Sequence, residues 1–363
     1  MARFGTSSNP PRLAGELTSL ASDPRALRIE GWVTPPDDGA LEGFQVFLGN
    51  KQQRVITWRA RPSRRTRRTH FRVVSGGAGA VAGPANGTLV TVIPRVAGLN
   101  TTQLFGALGR RMPLPPKRDR EAVAVDFLAK AFRSLNLLVG PGGLPHDGSV
   151  LDVGCGVGRV TYGLAHYLSP AGRYEGLDAV PRWVEWNRKS ISSRLPNFQF
   201  RLIDVQNGLY RRHSRRTAER VRFPYDDETF DTALVESVFQ HNRVPVVRHY
   251  LAEIGRVLRR GGRCVVTAFL LRRGSVAADQ RADGLDFLHP LEDAWSASAE
   301  LPEVGIAFEA ERFEQWVDDA GLDVAEFHRG EWHGEGPGIA YQDVIVLEKP
   351  SQRRRRGGSR PHH

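Results

Sequence analysis

This 363-residue sequence predicts two folds in series: a small antiparallel β-sandwich over residues 1–105, then an α/β domain with a mainly parallel sheet over residues 121–349. Three observations carry the reading. Between residues 26 and 98, short β-prone runs alternate with turns and helical periodicity is absent. At residues 149–158 a short apolar strand runs straight into alternating glycines, and a helical pattern follows with Leu164, Tyr167 and Leu168 on one face. Downstream, three further apolar runs each end in an acid: Asp178, Asp204 and Glu236.

The first module is built from strands expected at 27–33, 44–48, 53–59, 70–74 and 88–96, with loops at 35–39 and 76–87. Residues 106–120, bearing Pro, Arg and Leu, read as a linker. Residues 121–138 read as an amphipathic helix, because Val123, Phe127, Ala131 and Leu135 recur at helical spacing. Strands then follow at 149–153, 173–178, 198–204, 230–236 and 263–270, the last after a helix end and glycine turn at 256–262. Residues 272–308 fit no core strand. They carry Asp283, Asp286, Phe287, His289, Trp295 and Pro302 and read as an inserted lid. A helix at 309–320 is closed by Gly321, and strands at 323–331 and 341–348 form an antiparallel hairpin at the sheet edge. Residues 350–363, rich in Ser, Gln, Arg, Gly and Pro, read as a disordered basic tail.

The net charge is +11, and lysine supplies little of it, occurring only at Lys51, Lys117, Lys130, Lys189 and Lys349. Arginines cluster at 64–68, 211–216 and 353–356. Solvated loops account for these clusters; a nucleic-acid-binding stripe is the second reading, and charge speaks to association rather than to identity. Cys155 and Cys264 both fall at buried positions, so neither a disulfide nor a thiolate metal site is expected. No apolar stretch reaches membrane-spanning length and residues 1–12 lack a signal core, so a cytoplasmic location is expected.

The order Asp152-x-Gly154-Cys155-Gly156-x-Gly158 differs from the dinucleotide fingerprint, since the acid precedes the glycines. It resembles the first motif of class I S-adenosyl-L-methionine-dependent methyltransferases, and the resemblance extends over about residues 120–349. It implies a Rossmann-like seven-stranded sheet behind the β-sandwich. It also implies S-adenosyl-L-methionine as cofactor, with backbone at Gly154, Cys155, Gly156 and Gly158 against its aminoacyl and ribose portion. Asp152 would order the turn or reach the ammonium group, Asp178 would accept from the ribose hydroxyls, and Asp204 with Val205 would meet the adenine. Both later acids also suit a strand-end turn cap, a common use of Asp.

In the resembling family the loop after the fourth strand, here Glu236 to Asn242, faces the transferred methyl. His241 can act as a base near neutral pH, which an alcohol acceptor requires; ordering the loop is its other reading. Glu236 is a second catalytic candidate, or a buried anchor. Gln240, Trp332, His333 and Tyr341 are substrate candidates. The run 330–338 followed by Tyr341-Gln342-Asp343 resembles the C-terminal pattern of bacterial polysaccharide-linked methyltransferases; an exposed Trp332 would stack a sugar ring, and a hairpin tryptophan folded onto the core is its equal second reading. The β module resembles small modules fused to some glycan-processing transferases, through Ile29-Glu30-Gly31-Trp32-Val33, Arg61-Pro62 and His70-Phe71-Arg72-Val73. A structural or dimerising role suits it as well.

The function expected is therefore O-methylation of a glycan or sugar-containing acceptor, the partner being a small molecule or a glycan; no His/Asp cluster demands a metal. The alternatives are an RNA methyltransferase and a non-catalytic binding protein of the same fold. The Asn-Pro-Pro-Tyr pattern of adenine-amine methylation and a catalytic cysteine arrangement are both missing from the sequence.

Overall fold

A computed structural model describes residues 15–22, 26–34, 41–48, 51–63, 68–76, 88–96, 99–100, 103–108, 112–123, 126–205, 218–272, 281–282, 285–334 and 338–352. The arginine clusters at 211–216 and 353–356, and most of that at 64–68, lie outside them, as does nearly all of the basic tail.

The first module holds nine strands. They are β1 (Gly15–Ser22), β2 (Ala26–Val33), β3 (Leu41–Leu48), β4 (Lys51–Gln53), β5 (Val55–Pro62), β6 (Thr69–Gly76), β7 (Thr88–Val96), β8 (Leu99–Asn100) and β9 (Leu104–Leu108). One antiparallel sheet runs β1-β2-β6-β5 and the other β4-β3-β7-β8, with β9 on the far side of β7. Alternate residues Leu27, Ile29 and Val33 of the first sheet meet Phe44, Val46, Val90 and Val92 of the second in one buried cluster. β9 reaches into the stretch read as linker, and the helix α1 (Lys117–Val123) takes up the end of that stretch. The five residues of β9, Leu104 to Leu108, straddle the boundary set at 106 and are too few to show a strand alternation from which the pairing with β7 could be foreseen.

The α/β domain adds α2 (Phe127–Val139), β10 (Ser149–Val153), α3 (Thr161–Tyr167), β11 (Arg173–Asp178), α4 (Pro181–Asn187), β12 (Phe198–Leu202), β13 (Phe230–Val235), α5 (Val244–Val257) and β14 (Leu258–Leu271). Beyond these come the ribbon β15 (Arg281–Ala282) with β16 (Leu285–Asp286), then β17 (His289–Leu291), β18 (Ala294–Ser296), β19 (Ile306–Glu309), α6 (Ala310–Asp319), β20 (Asp323–His328) and β21 (Asp343–Glu348). The expected single helix at 121–138 is thus two helices, α1 and α2.

Seven strands lie in the order β12-β11-β10-β13-β14-β21-β20; the first five are parallel and β21 is antiparallel to both its neighbours. The sheet is larger than the seven strands expected. The far end of β14 also pairs in parallel with β19, and β18 and β17 continue outward, making ten strands. Part of the expected lid, residues 289–291, 294–296 and 306–308, is therefore an extension of this sheet. The strands of that lid are two to four residues long, too short to print an alternating pattern.

Alternation sends Val150, Leu234 and Val265 to one face, against α2, α3 and α4, and Leu151, Val235 and Val266 to the other, against α5 and α6. Leu89 and Phe105 of the β module join the first of these clusters, and the Phe105 and Tyr167 rings sit 6.3 Å apart. An ion pair between Arg133 on α2 and Glu16 on β1, at 2.8 Å, ties the same face to the module. Among the described residues no helix is long and apolar enough to cross a membrane.

Candidate active site

A cavity of about 550 Å³ opens at the carboxyl ends of β10, β11, β13 and β14, where an α/β sheet whose strand order reverses leaves a crevice. Here the reversal falls at β10, which has β11 on one side and β13 on the other. α2 forms one wall, and Tyr341 and Gln342, just before β21, form another.

The glycine loop after β10 is built by backbone need. Gly154, Gly156 and Gly158 have φ of +79°, +54° and +76°, a region costly for residues with a Cβ. A Cβ on Gly154 would also strike Val238, and one on Gly158 would lie 2.7 Å from Asn187 Oδ1. The Gly154 and Cys155 amides donate to Leu177 O at 2.8 and 2.9 Å, which pins the loop to β11. Asp178 Oδ2 accepts from the Gly156 amide at 2.8 Å and Oδ1 from the Val180 amide at 2.8 Å. Asp178 thus caps the turn, and it also lines the cavity, so both readings of this acid meet in one side chain. Burial pushes its carboxyl up to about 6. Asp152 is buried behind the loop and accepts from Tyr174 Oη at 2.7 Å; burial pushes its carboxyl up to about 7. Cys155, Val205 and Ile203 line the cavity, whereas Asp204 is exposed and does not.

Charge gathers on the α2 side. Lys130, Arg133, Arg159 and Glu236 all line the cavity there. Glu236 accepts from Ser134 Oγ at 2.6 Å and pairs with Arg159 at 3.1 Å. Its carboxylate is engaged by donors, which makes it an anchor rather than a free base. Sequence reading passed over Lys130, Arg133 and Arg159. Arg159 directly follows the last glycine, and Lys130 and Arg133 are three residues apart on α2, so both signals were present.

Opposite lies the short 3₁₀ turn Phe239–His241. Before it, Ser237 holds φ of +59°, uncommon for a residue with a Cβ, and its amide donates to Thr267 Oγ1 at 2.9 Å. His241 Nδ1 lies 2.8 Å from Glu303 O, and a carbonyl only accepts, so Nδ1 carries the proton and Nε2 the lone pair. Gln240 Nε2 lies 3.0 Å from His241 Nε2 and donates to it. Gln342 Nε2 donates in turn to Gln240 Oε1, and Gln342 Oε1 accepts from Thr267 at 2.9 Å and Ser237 at 3.2 Å. Burial lowers the pKa of His241, leaving the ring neutral at pH 7.

Of the C-terminal substrate candidates, only Tyr341 lines the cavity. Of the two readings of Trp332, an exposed stacking surface or a tryptophan folded onto the core, the structure has the second: the indole is 3% exposed, packs on Phe269 and Phe287, and donates to Asp343 Oδ2 at 3.0 Å. His333 Nε2 is 2.9 Å from Asp343 Oδ1. Asp343 is fully buried, and it also accepts the amides of Gly330 and Leu270. A buried carboxylate must collect donors, and this one draws the glycine loop, with Trp332, onto the core.

Residues 151–266 match the family described as "Methyltransferase domain". This segment resembles a methyltransferase domain. It spans β10 to the middle of β14, from the glycine loop through His241 to the strand that carries Thr267. The cofactor of the class I family is S-adenosyl-L-methionine. An uncharacterized 37.1 kDa protein in transposon TN4556 of Streptomyces fradiae is 35% identical over 118 residues, 32% of this chain and 29% of that protein. The phthiotriol/phenolphthiotriol dimycocerosates methyltransferase of Mycobacterium tuberculosis is 35% identical over 113 residues, 31% of this chain and 34% of that one. The chain thus spans about a third of the length of these curated relatives. Among solved structures, the 1,6-didemethyltoxoflavin-N1-methyltransferase of Burkholderia thailandensis aligns with a TM-score of 0.39 at 17% identity, covering 72% of this chain and 96% of that one. The [4+2]-cyclase SpnF aligns with a TM-score of 0.42 at 19% identity, covering 62% and 83%. The matched segment supplies the glycine loop, Asp152, Asp178, Glu236 and His241, while α2, Gln342 and Tyr341 come from outside it.

Proposed function

We propose that the protein uses S-adenosyl-L-methionine to methylate a neutral hydroxyl group of a small-molecule acceptor, with His241 as general base. The observation that carries this reading is the division of charge in the cavity. Asp152, Asp178, Glu236, Lys130, Arg133 and Arg159 stand at the glycine-loop and α2 side, whereas the far side presents Gln240, His241, Phe269, Leu285, Tyr341 and Gln342. Among the described residues, that far side carries neither a carboxylate nor a permanent cation. A neutral acceptor with an apolar ring or chain suits it, and a phosphate-bearing polymer does not.

The residues present fit the cofactor. Gly154 and Gly156 leave bare backbone at the cavity while Gly158 packs on Asn187 and Ile191 outside it, Asp178 and Asp152 offer carboxylates to hydroxyl and ammonium groups, and Val205 and Ile203 offer an apolar surface to a base. When bound, the cofactor supplies an electrophilic methyl on a sulfonium. His241 Nε2 accepts the proton of the acceptor hydroxyl, and Glu303 O holds the ring through Nδ1–H as it becomes imidazolium. Burial of Trp332 removes the stacking surface expected for a sugar, so a glycan stays in the proposal only as one source of neutral hydroxyls.

A screen with labelled S-adenosyl-L-methionine over neutral phenols and alcohols, neutral sugars, carboxylic acids and RNA tests the reading. Label is expected on a neutral hydroxyl compound. Transfer confined to RNA or to an anionic acceptor would overturn it, and so would calorimetry showing no binding of S-adenosylhomocysteine.

Cofactor binding should itself depend on pH. Burial holds the Asp152 and Asp178 carboxyls up at about 7 and about 6. For an acid so shifted, ionisation costs the folded state more and more as pH rises from the ordinary carboxylate range, and a bound ammonium offsets that cost. Affinity for S-adenosylhomocysteine is therefore expected to rise about tenfold between pH 5.5 and 8, and to flatten in Asp152→Asn. An unchanged pH profile in that variant would remove Asp152 from the ligand site.

A further inference from the structure

We propose that Gln240 is a positioning residue for His241: its side-chain amide sits on the base, fixes its tautomer together with Glu303 O, and gives way to the acceptor hydroxyl. The proposal rests on the reading of His241 as base and adds a role for its neighbours.

The argument is one of donor and acceptor directions. Glu303 O accepts only, so the proton of the neutral ring is on Nδ1. His241 Nε2 must then accept, and the group facing it at 3.0 Å is the Gln240 side-chain amide, which donates. That orientation leaves Gln240 Oε1 as an acceptor, and Gln342 Nε2 donates to it. Gln342 Oε1 accepts from the hydroxyls of Thr267 at 2.9 Å and Ser237 at 3.2 Å. Every link has one donor and one acceptor, and reversing either amide would set donor against donor or acceptor against acceptor. The relay therefore runs in one direction, from β14 through Gln342 and Gln240 to the ring.

The site the amide occupies is the one a substrate proton must reach. A donor on Nε2 stabilises the neutral ring and keeps the lone pair directed into the cavity. The acceptor hydroxyl replaces one donor by another, so the ring keeps its tautomer and orientation. Gln240 and Gln342 both line the cavity, which gives the displaced amide room to turn. The charged groups on the elements packed against this turn are Glu303, whose carboxylate pairs with Arg243 at 2.9 Å, Glu309 on β19, and Arg259, Arg260 and Arg263 in the first half of β14, which pair with Asp231, Glu228 and Glu348. None of these varies between the variants below.

Nitrogen-15 NMR of the full-length protein tests this without any acceptor. In the wild type, Nδ1 of His241 is expected to be protonated and Nε2 bare. Gln240→Leu removes the donor from Nε2, so the His241 midpoint should rise. Gln240→Glu brings a carboxylate to the same place and should raise it further, by at least about one pH unit over the wild type. Gln342→Leu, which unties Gln240 without touching the ring, should fall between wild type and Gln240→Leu. Circular dichroism shows whether each variant is folded. A proton on Nε2 in the wild type, or one midpoint shared by all folded variants, would overturn the proposal. Failure of the base reading looks different: the ordered midpoints would stand while His241→Ala kept full activity.

Discussion

His241→Ala is expected to lower kcat by about 10²–10⁴ while leaving affinity for S-adenosylhomocysteine within about twofold of the wild type. The ring is held by Glu303 O and Gln240, while the glycine loop is held by Leu177 O and Asp178, so removing the ring takes out the proton acceptor and leaves those loop bonds in place. The pH profile follows from burial. Since burial lowers the pKa of His241, the neutral form persists below the usual imidazole range. Activity should hold from pH 8 down through 6.5 and fall only on the acid side of it, because protonation there fills Nε2. Activity and calorimetric affinity measured on the same preparation check this. A loss of cofactor affinity in step with kcat would make His241 an element of loop structure, and full activity would put the base elsewhere.

Gly156→Val should weaken binding of S-adenosylhomocysteine by at least about tenfold, with the fold kept. Gly156 holds φ of +54°, where a β-branched residue is a genuine outlier, and its amide donates to Asp178 at 2.8 Å. A valine must relax toward negative φ, and doing so turns that amide away from Asp178 and sets a side chain into the cavity. Gly156→Ala carries only the left-handed penalty of about 1–2 kcal/mol and should lose less. Calorimetry on folded variants that shows wild-type affinity in both would remove the loop from the ligand site.

Much of this was legible in the chain because it is local. β10 and β11 lie at the residues expected, since buried parallel strands print continuous apolar runs and the glycines mark where one ends. Asp178, at the end of β11, could be placed behind the glycines by spacing. What stayed hidden depends on partners far apart in sequence. Trp332, set in a glycine run, could be read as exposed or as folded onto the core. Its burial needs Asp343 to supply an acceptor inside, and the sequence does not say which way a carboxylate faces. Glu236 drew attention as a lone acid after a strand, yet its state is decided by Ser134 and Arg159, 102 and 77 residues away. The base itself could be named, but the amides that aim it come from Gln240 and Gln342, joined only once β14 and β21 are paired.

β14 is a single strand of 14 residues that serves two neighbourhoods. It meets β21 at residues 263–268 and β19 at residues 269–271, and between them Thr267 and Phe269 look into the cavity. Side chains along a strand alternate, so adding or deleting one residue within 263–271 would turn both away and shift β19 off its partners in the same stroke. Changes in chain length cannot be absorbed there. They can be absorbed in the connections beyond Leu271, which leave the register of the inner sheet untouched. The acceptor end of the cavity can therefore be lengthened or trimmed over evolutionary time by indels past Leu271, while the end that faces the cofactor keeps its dimensions.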